Sequence, residues 1–266
     1  MKLTLSDVCV GYEGQEPLQR YVNFSVESGE VCCILGPNGC GKTTLVRTIL
    51  GMNPLLSGCI AIDGADITRW SAQRLSQQVA YVAQRASQPF PYEVRDVVML
   101  GRVGKSRGLS GQPDKHDYNI VENAMREMGV YHLRGKSFLD ISGGELQLVM
   151  FARALAQEPE MLILDEPTAA LDYGNAVRVI SKVRELARKG YAVVMITHNP
   201  DHAFMTRANV ALFTRYGPMK FGDANSIITR ENIQDAYGVG VKLVEFTHDN
   251  NQIMRMCAPV FGGDDQ

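Results

Sequence analysis

Leu3, Leu5, Val8 and Val10 stand against Lys2, Thr4 and Ser6 at the head of the chain. This alternation predicts a half-exposed strand over residues 2–10. Residues 22–26 and 58–63 read as further strands, the second closed by a turn at Gly64, so a small antiparallel layer is expected. Other apolar runs have no polar alternation. Val31–Leu35, 161–164 and Ala192–Ile196 read as strands buried in the core, and 79–83 as another strand with Gln84 at its C-terminal end. Helical spacing covers 66–78, 114–128 and 175–189, with Ile120, Val121, Ala124, Met125 and Met128 on one face of the second. Residues 146–157 are apolar nearly all round, which predicts a buried helix. Further on, 210–213 and 219–221 read as a hairpin turned at Gly217 and Pro218. A short helix over Arg230–Tyr237 and a second hairpin, 241–246 with 253–257, complete the pattern. Strands interleaved with helices predict an α/β fold, and residues 85–150 read as a helical insertion between two core strands.

The candidate chemistry starts where the strand Val31–Leu35 ends. It runs directly into Gly36, Pro37, Asn38, Gly39, Cys40, Gly41, Lys42 and Thr43, the spacing G-x-x-x-x-G-K-[ST], and Thr44, Leu45 and Val46 open a helix. Glycines at 36, 39 and 41 let the backbone turn tightly enough for successive N–H groups to face phosphate oxygens. The helix presents its unpaired N–H groups and positive dipole end to the same anion. Lys42 then reaches the β- and γ-phosphates, and the Thr43 hydroxyl is placed for Mg²⁺. The motif predicts a nucleoside-triphosphate site. Asp165 and Glu166 close the 161–164 strand: an acid there can hold Mg²⁺ through water, and its neighbour can orient or deprotonate an attacking water. Gln84 and His198 also stand at the C-terminal ends of core strands, where ligands of open α/β sheets collect. Two readings stay open. Tyr12 is either a turn aromatic packed on the sheet or a ring for adenine to stack on. Ser142, Gly143 and Gly144 are either a simple helix start or a second anion site built like the first.

Composition narrows the class. With 266 residues the chain is one large domain or two small ones, and 27 basic against 29 acidic residues leave a net charge of -2. No basic field invites nucleic acid. No apolar run approaches the ~18 residues of a spanning helix. The first residues, Met1 to Asp7, lack the long apolar stretch of a signal peptide. A cytosolic protein is expected, able to dock on a membrane protein. The six cysteines include no C-x-x-C pair and read as small buried hydrophobes in a reducing compartment. Cys40 is the exception, since it lies within the phosphate loop, where alkylation is expected to block nucleotide.

In order and approximate spacing these elements resemble the ATP-binding-cassette (ABC) family over nearly the whole chain. The resemblance implies the ABC ATPase fold: a P-loop NTPase core of mainly parallel sheet, an antiparallel β layer and an inserted helical subdomain. It divides the chain into one ATPase domain over 1–240, with the subdomain at about 85–150, and a C-terminal hairpin extension with a frayed tail over 241–266. By the same likeness Tyr12 stacks on adenine, and Gly36 to Thr44 hold the phosphates. Gln84 joins Mg²⁺ and water to the helical subdomain. Ser142, Gly143 and Gly144 are the family signature, Asp165 the Mg²⁺ acid, Glu166 the catalytic carboxylate, Asp172 the acid of the dimer-facing loop and His198 the switch histidine. One position departs: the signature usually ends in glutamine followed by a basic residue, and here Glu145 is followed by Leu146.

Softer features, including residues 88–92, 96–102, 152–156, 171–175, 196–202 and 237–241, resemble the importer subgroup that serves iron–siderophores, haem, cobalamin and oxyanions such as molybdate. The implied protein is the ATPase subunit of such an importer, peripheral on the cytoplasmic face of the inner membrane. Its cofactors would be ATP and Mg²⁺. Its partners would be a second copy in a head-to-tail ATP sandwich, permease subunits and, indirectly, a substrate-binding protein. A soluble ABC ATPase acting on nucleic acid or ribosomes is the alternative; the single cassette, the lack of a coiled-coil insertion and the near-neutral charge weigh against it. A P-loop kinase would leave Ser142, Gly143, Gly144 and His198 without a role.

Overall fold

The computed structural model describes residues 1–84, 91–105, 112–215, 217–247 and 253–260. Strand β1 (Lys2–Val10) begins the chain. Its apolar residues change parity, from Leu3 and Leu5 to Val8 and Val10, so a regular strand would bury only one pair. All four are buried nonetheless. The pairing with β2 (Gln19–Glu27) slips between Leu5 and Val8, and Asp7, at φ 48°, lies in the slip. Gly58 faces this kink so closely that a Cβ there would lie 2.5 Å from the Asp7 carbonyl oxygen.

After β3 (Val31–Leu35) and helix α1 (Lys42–Ile49), strands β4 (Ser57–Ile62) and β5 (Ala65–Asp66) complete an antiparallel sheet of order β2-β1-β4-β5. The single helix expected over 66–78 is not formed. Asp66 ends β5, and its carboxylate accepts the Thr68 N–H to cap a 3-10 turn over Ile67–Arg69. Trp70 is then extended, and Ser71 caps a separate helix α2 (Ala72–Gln78). Two capping side chains five residues apart each offer the backbone an alternative to continuing a helix, and the chain takes both.

Strand β6 (Val79–Val82) leads to a layer of helices, α3 (Val94–Met99), α4 (Lys115–Glu127) and α5 (Gly143–Ala156), which share one apolar cluster. Helix α5 starts earlier than the expected residue 146, because Ser142 caps it and Gly143 and Gly144 carry no apolar signal. Buried Arg102 fastens this layer: it donates to Asp117 at 2.8 Å, Glu158 at 2.7 Å and the Ala156 carbonyl at 2.8 Å. That satisfies a charge that would otherwise be costly to bury.

The rest of the chain comprises β7 (Met161–Asp165), α6 (Tyr173–Arg188), β8 (Ala192–Ile196), α7 (Asp201–Thr206), β9 (Asn209–Leu212), β10 (Lys220–Asp223), α8 (Ala224–Ile227) and α9 (Arg230–Tyr237). The terminal hairpin is β11 (Val241–Thr247) with β12 (Ile253–Pro259). The central sheet has the order β10-β9-β3-β8-β7-β6, parallel except for β10. Its two faces feed separate cores. Cys32 and Ile34 pack with α1 and the antiparallel layer, and Cys33 and Leu35 with the helices on the other side. The α/β architecture is therefore the expected one, a mainly parallel sheet with an antiparallel layer and added helices. No described helix is long and apolar enough to cross a membrane.

Candidate nucleotide site

The sheet order sets β3 beside β8 and β8 beside β7, so the segments leaving their C-terminal ends meet at one edge of the molecule. From β3 the chain enters the loop 36–43 through Gly36 at φ 147°, with Gly39 at 79° and Gly41 at 99°. A Cβ at Gly36 would lie 2.7 Å from the Phe213 carbonyl oxygen and 2.9 Å from Cys40 Sγ, so the turn admits only glycine there. Lys42 opens α1 and curls back over its own loop, donating to the Gly36 carbonyl at 2.7 Å and the Pro37 carbonyl at 2.8 Å. Burial lowers its pKa, against the raising effect of Cys40, Glu166 and Asp165. Thr44 is buried behind it, while Asn38 and Gly39 form the exposed rim. Gly36 does not join the successive N–H groups expected to face phosphate: its N–H donates to Tyr237 Oη at 2.8 Å.

Asp165 closes β7 and is buried, which pushes its pKa up; hydrogen bonds from the Tyr81 hydroxyl, at 3.2 Å, and from Thr43 work the other way. Burial, then the nearby Asp165 charge, raises Tyr81 to about 12. Glu166 follows at φ 50°, a left-handed conformation unusual for a side-chain-bearing residue and of the kind found where a site fixes its geometry. Its N–H donates to the Ile196 carbonyl at 3.1 Å, which locks the end of β7 to β8. Both carboxylate oxygens are engaged: Oε2 accepts from Gln84 Nε2 at 2.6 Å, and Oε1 pairs with His198 Nε2. The structure thus brings Lys42, Thr43, Gln84, Asp165, Glu166 and His198 together.

The donor set there suits a hard cation. Thr43 and Asp165 supply oxygens in mutual contact, and Gln84 carries a third nearby. Among the described residues no cluster of three His, Cys, Asp or Glu could hold a metal alone. The arrangement fits Mg²⁺ sharing ligands with phosphate and water, which it keeps readily.

A second group forms elsewhere. Ser142 Oγ accepts the Glu145 N–H at 3.3 Å, and Glu145 Oε2 accepts both the N–H and the hydroxyl of Ser142 at 2.8 Å, a reciprocal capping box. These bonds, the backbone one foremost, hold the Glu145 carboxyl below its usual range. Glu145 thus opens α5 from the N3 position, a place that glutamine also fills in a capping box. Asp172 caps α6, accepting from the Asn175 N–H at 2.8 Å and the Asn175 carboxamide at 2.7 Å. The same carboxamide lies against Gly144: a Cβ on that glycine would come within 2.3 Å of it, whereas one on Gly143 would make only an ordinary 3.8 Å contact with Leu171. Ser142, Gly143, Gly144 and Asp172 are therefore neighbours, and among the described residues no hydrogen bond joins them to the Lys42 group. Tyr12 lies in the turn after β1 and is 47% exposed; the far end of that turn, Leu18, rests against Gly41.

Tyr81 and Tyr237 are contacts that sequence reasoning missed. Tyr81 carried one weak signal, a hydroxyl near the end of a core strand. Cys40 is placed differently from what its position in an exposed loop suggests. The residue is 4% exposed, and burial raises its pKa, against the lowering effect of Lys42. A covered, protonated thiol reacts slowly. N-ethylmaleimide at neutral pH is expected to modify Cys40 at least about tenfold more slowly than exposed Cys59, read by peptide mass spectrometry. Equal rates would mean that the loop opens readily in solution.

The chain resembles known proteins over most of its length. The profile of the ABC transporter family matches residues 20–169, more than half of the chain. An ABC transporter ATP-binding protein of Haemophilus influenzae is 36% identical over 253 residues, 95% of each chain. The molybdate import ATP-binding protein MolC of the same species is 33% identical over 232 residues, covering 87% of this chain and 86% of its own. Among solved structures, a transporter described as of the metal-chelate type, captured facing inward, matches with a TM-score of 0.86 at 28% identity over 98% of each chain. Likeness of this extent, in family profile, relatives and three-dimensional shape alike, places the chain in the ABC transporter family, as an ATP-binding subunit that couples ATP hydrolysis to transport.

Proposed function

We propose that this subunit is the motor of a bacterial-type importer for a metal chelate, such as an iron–siderophore, haem or cobalamin, or for an oxyanion such as molybdate. Likeness to MolC and to the metal-chelate-type transporter supports that substrate class. ATPase subunits of this family work with permease components. This one would sit peripherally on the cytoplasmic face of the inner membrane, with a substrate-binding protein on the other side. Residues 1–240 would be the ATPase domain, with the helical subdomain at about 85–150, and 241–266 an extension.

The observation that carries the mechanism is the division of the site into two groups. Among the described residues no hydrogen bond joins Lys42 and its loop to the Ser142 turn, and each ATP would lie between Lys42 of one copy and Ser142, Gly143 and Gly144 of the other. A head-to-tail pair closes two such sites at once. Tyr12 would stack on the adenine, and Asp172 would face the partner. Thr43, Asp165 and Gln84 would hold Mg²⁺, which supplies positive charge against the β- and γ-phosphates. Glu166 would take up proton density from the attacking water, with His198 and Gln84 fixing the direction in which its carboxylate points. Loss of the γ-phosphate then removes the charge that bridges the two copies.

The surface over residues 84–99 is the candidate seat of the permease. Gln84 ties one end of it to Glu166. Residues 85–90, with Phe90 among them, lie outside the described residues, and Tyr92 is 47% exposed. Tyr92→Ser is expected to leave ATP binding by the isolated subunit within about twofold and to cut co-purification with the permease about tenfold or more. Falling thermal stability and hydrolysis in the isolated subunit, with assembly intact, would instead assign Tyr92 to internal packing.

A further inference from the structure

The C-terminal helix reaches the phosphate loop from a part of the chain with no nucleotide motif of its own. Tyr237 is the last residue of α9; Gly238 stops the helix at once, at φ 72°, with its N–H on the Gln234 carbonyl at 2.8 Å. This leaves the phenol directed at Gly36, whose N–H it accepts at 2.8 Å. Gly36 is held at both ends. Its N–H is fixed by Tyr237 and its carbonyl by the Lys42 ammonium at 2.7 Å, with Phe213 and Cys40 filling the space a side chain would need.

A residue at φ 147° without a Cβ has wide rotational freedom unless its polar groups are tied. The N–H of the loop's first glycine is thus tied by a phenol 201 positions away. The same terminal segment also touches the other wall of the site. The Cys257 N–H on β12 donates to Asp201 Oδ1 at 2.7 Å, and the Asp201 N–H donates to Asn199 Oδ1 at 2.9 Å, in the turn that bears His198.

We propose that Tyr237 is a positioning residue for ATP binding, its hydroxyl holding Gly36 in the conformation that places Lys42. This rests on the reading of the loop as the ATP site. When only a fraction of loops is binding-competent, the apparent dissociation constant rises by the inverse of that fraction. One lost hydrogen bond to a partly buried amide corresponds to about a three- to tenfold change.

The test is Tyr237→Phe, which keeps the ring and deletes the oxygen. The dissociation constant for ADP and the KM for ATP should both rise about three- to tenfold. The kcat at saturating ATP should stay within about twofold, because the loss falls on binding and not on the chemical step. ADP affinity and KM unchanged within twofold would overturn the proposal. So would a lowered melting temperature with KM unchanged, since that is the mark of a merely structural hydroxyl. Wild-type protein that binds neither nucleotide would overturn the ATP-site reading itself, a separate and recognisable failure that takes the proposal with it. Hydrogen exchange of the Gly36 amide in the wild type needs no variant and no nucleotide. Protection is expected there, and exchange as fast as an open-loop amide would overturn the assignment.

Discussion

Lys42→Ala should lower phosphate release by more than about 100-fold, the scale seen when a pre-placed charge-stabilising donor is removed from a phosphoryl or acyl transfer site. In this structure the ammonium has two roles. It satisfies the Gly36 and Pro37 carbonyls, and it is a cation that interacts electrostatically with Asp165 and Glu166. Its loss therefore relaxes the loop and deletes the charge that meets the β- and γ-phosphates. The relaxation alone costs two hydrogen bonds of one covered side chain that belongs to neither apolar core, so the variant should fold, with a circular dichroism spectrum like that of the wild type. Hydrolysis within tenfold of wild type would contradict the assignment of the phosphate loop.

Glu166→Gln should stall turnover while keeping ATP affinity. An amide cannot accept the proton that leaves the attacking water, yet it has the shape of the carboxylate. The surrounding bonds also survive the change. The carbonyl of the introduced amide can accept from Gln84, and its NH₂ can donate to His198 Nε2 in the tautomer that leaves this nitrogen free to accept. A turnover-deficient variant that binds ATP should accumulate as an ATP-dependent dimer, visible by light scattering, whereas wild type with ADP should remain monomeric. A variant that stays monomeric with ATP and hydrolyses it at the wild-type rate would remove Glu166 from the catalytic role.

What was legible in the chain was whatever is encoded over a few adjacent residues. The phosphate loop is contiguous, and its glycines and lysine are dictated by one ligand. The core strands announce themselves because both their faces are covered. The break at Trp70 was hidden because Asp66 and Ser71 act as caps only when their side chains turn to the backbone, and helical spacing runs on across them. Helices α7 and α8, of six and four residues, are too short to show a period. The slip at Asp7 was visible as a change of parity, but only the paired strand gives it meaning. Within the site, the residues at strand ends could be placed by topology. Tyr81 and Tyr237 could not, since each meets its partner through one hydroxyl, across 84 and 201 positions that only the fold brings close.

Gly143 and Gly144 are one letter repeated, but they are not under the same rule of inheritance. Alanine at 144 has to push aside the Asn175 carboxamide and with it the bond to Asp172, so the folding of a lone chain already resists that change. Alanine at 143 meets nothing closer than an ordinary van der Waals neighbour, and its tolerance is left to whatever the turn meets in a partner. Genetic drift in a chain released from its transporter would therefore erode the first glycine before the second.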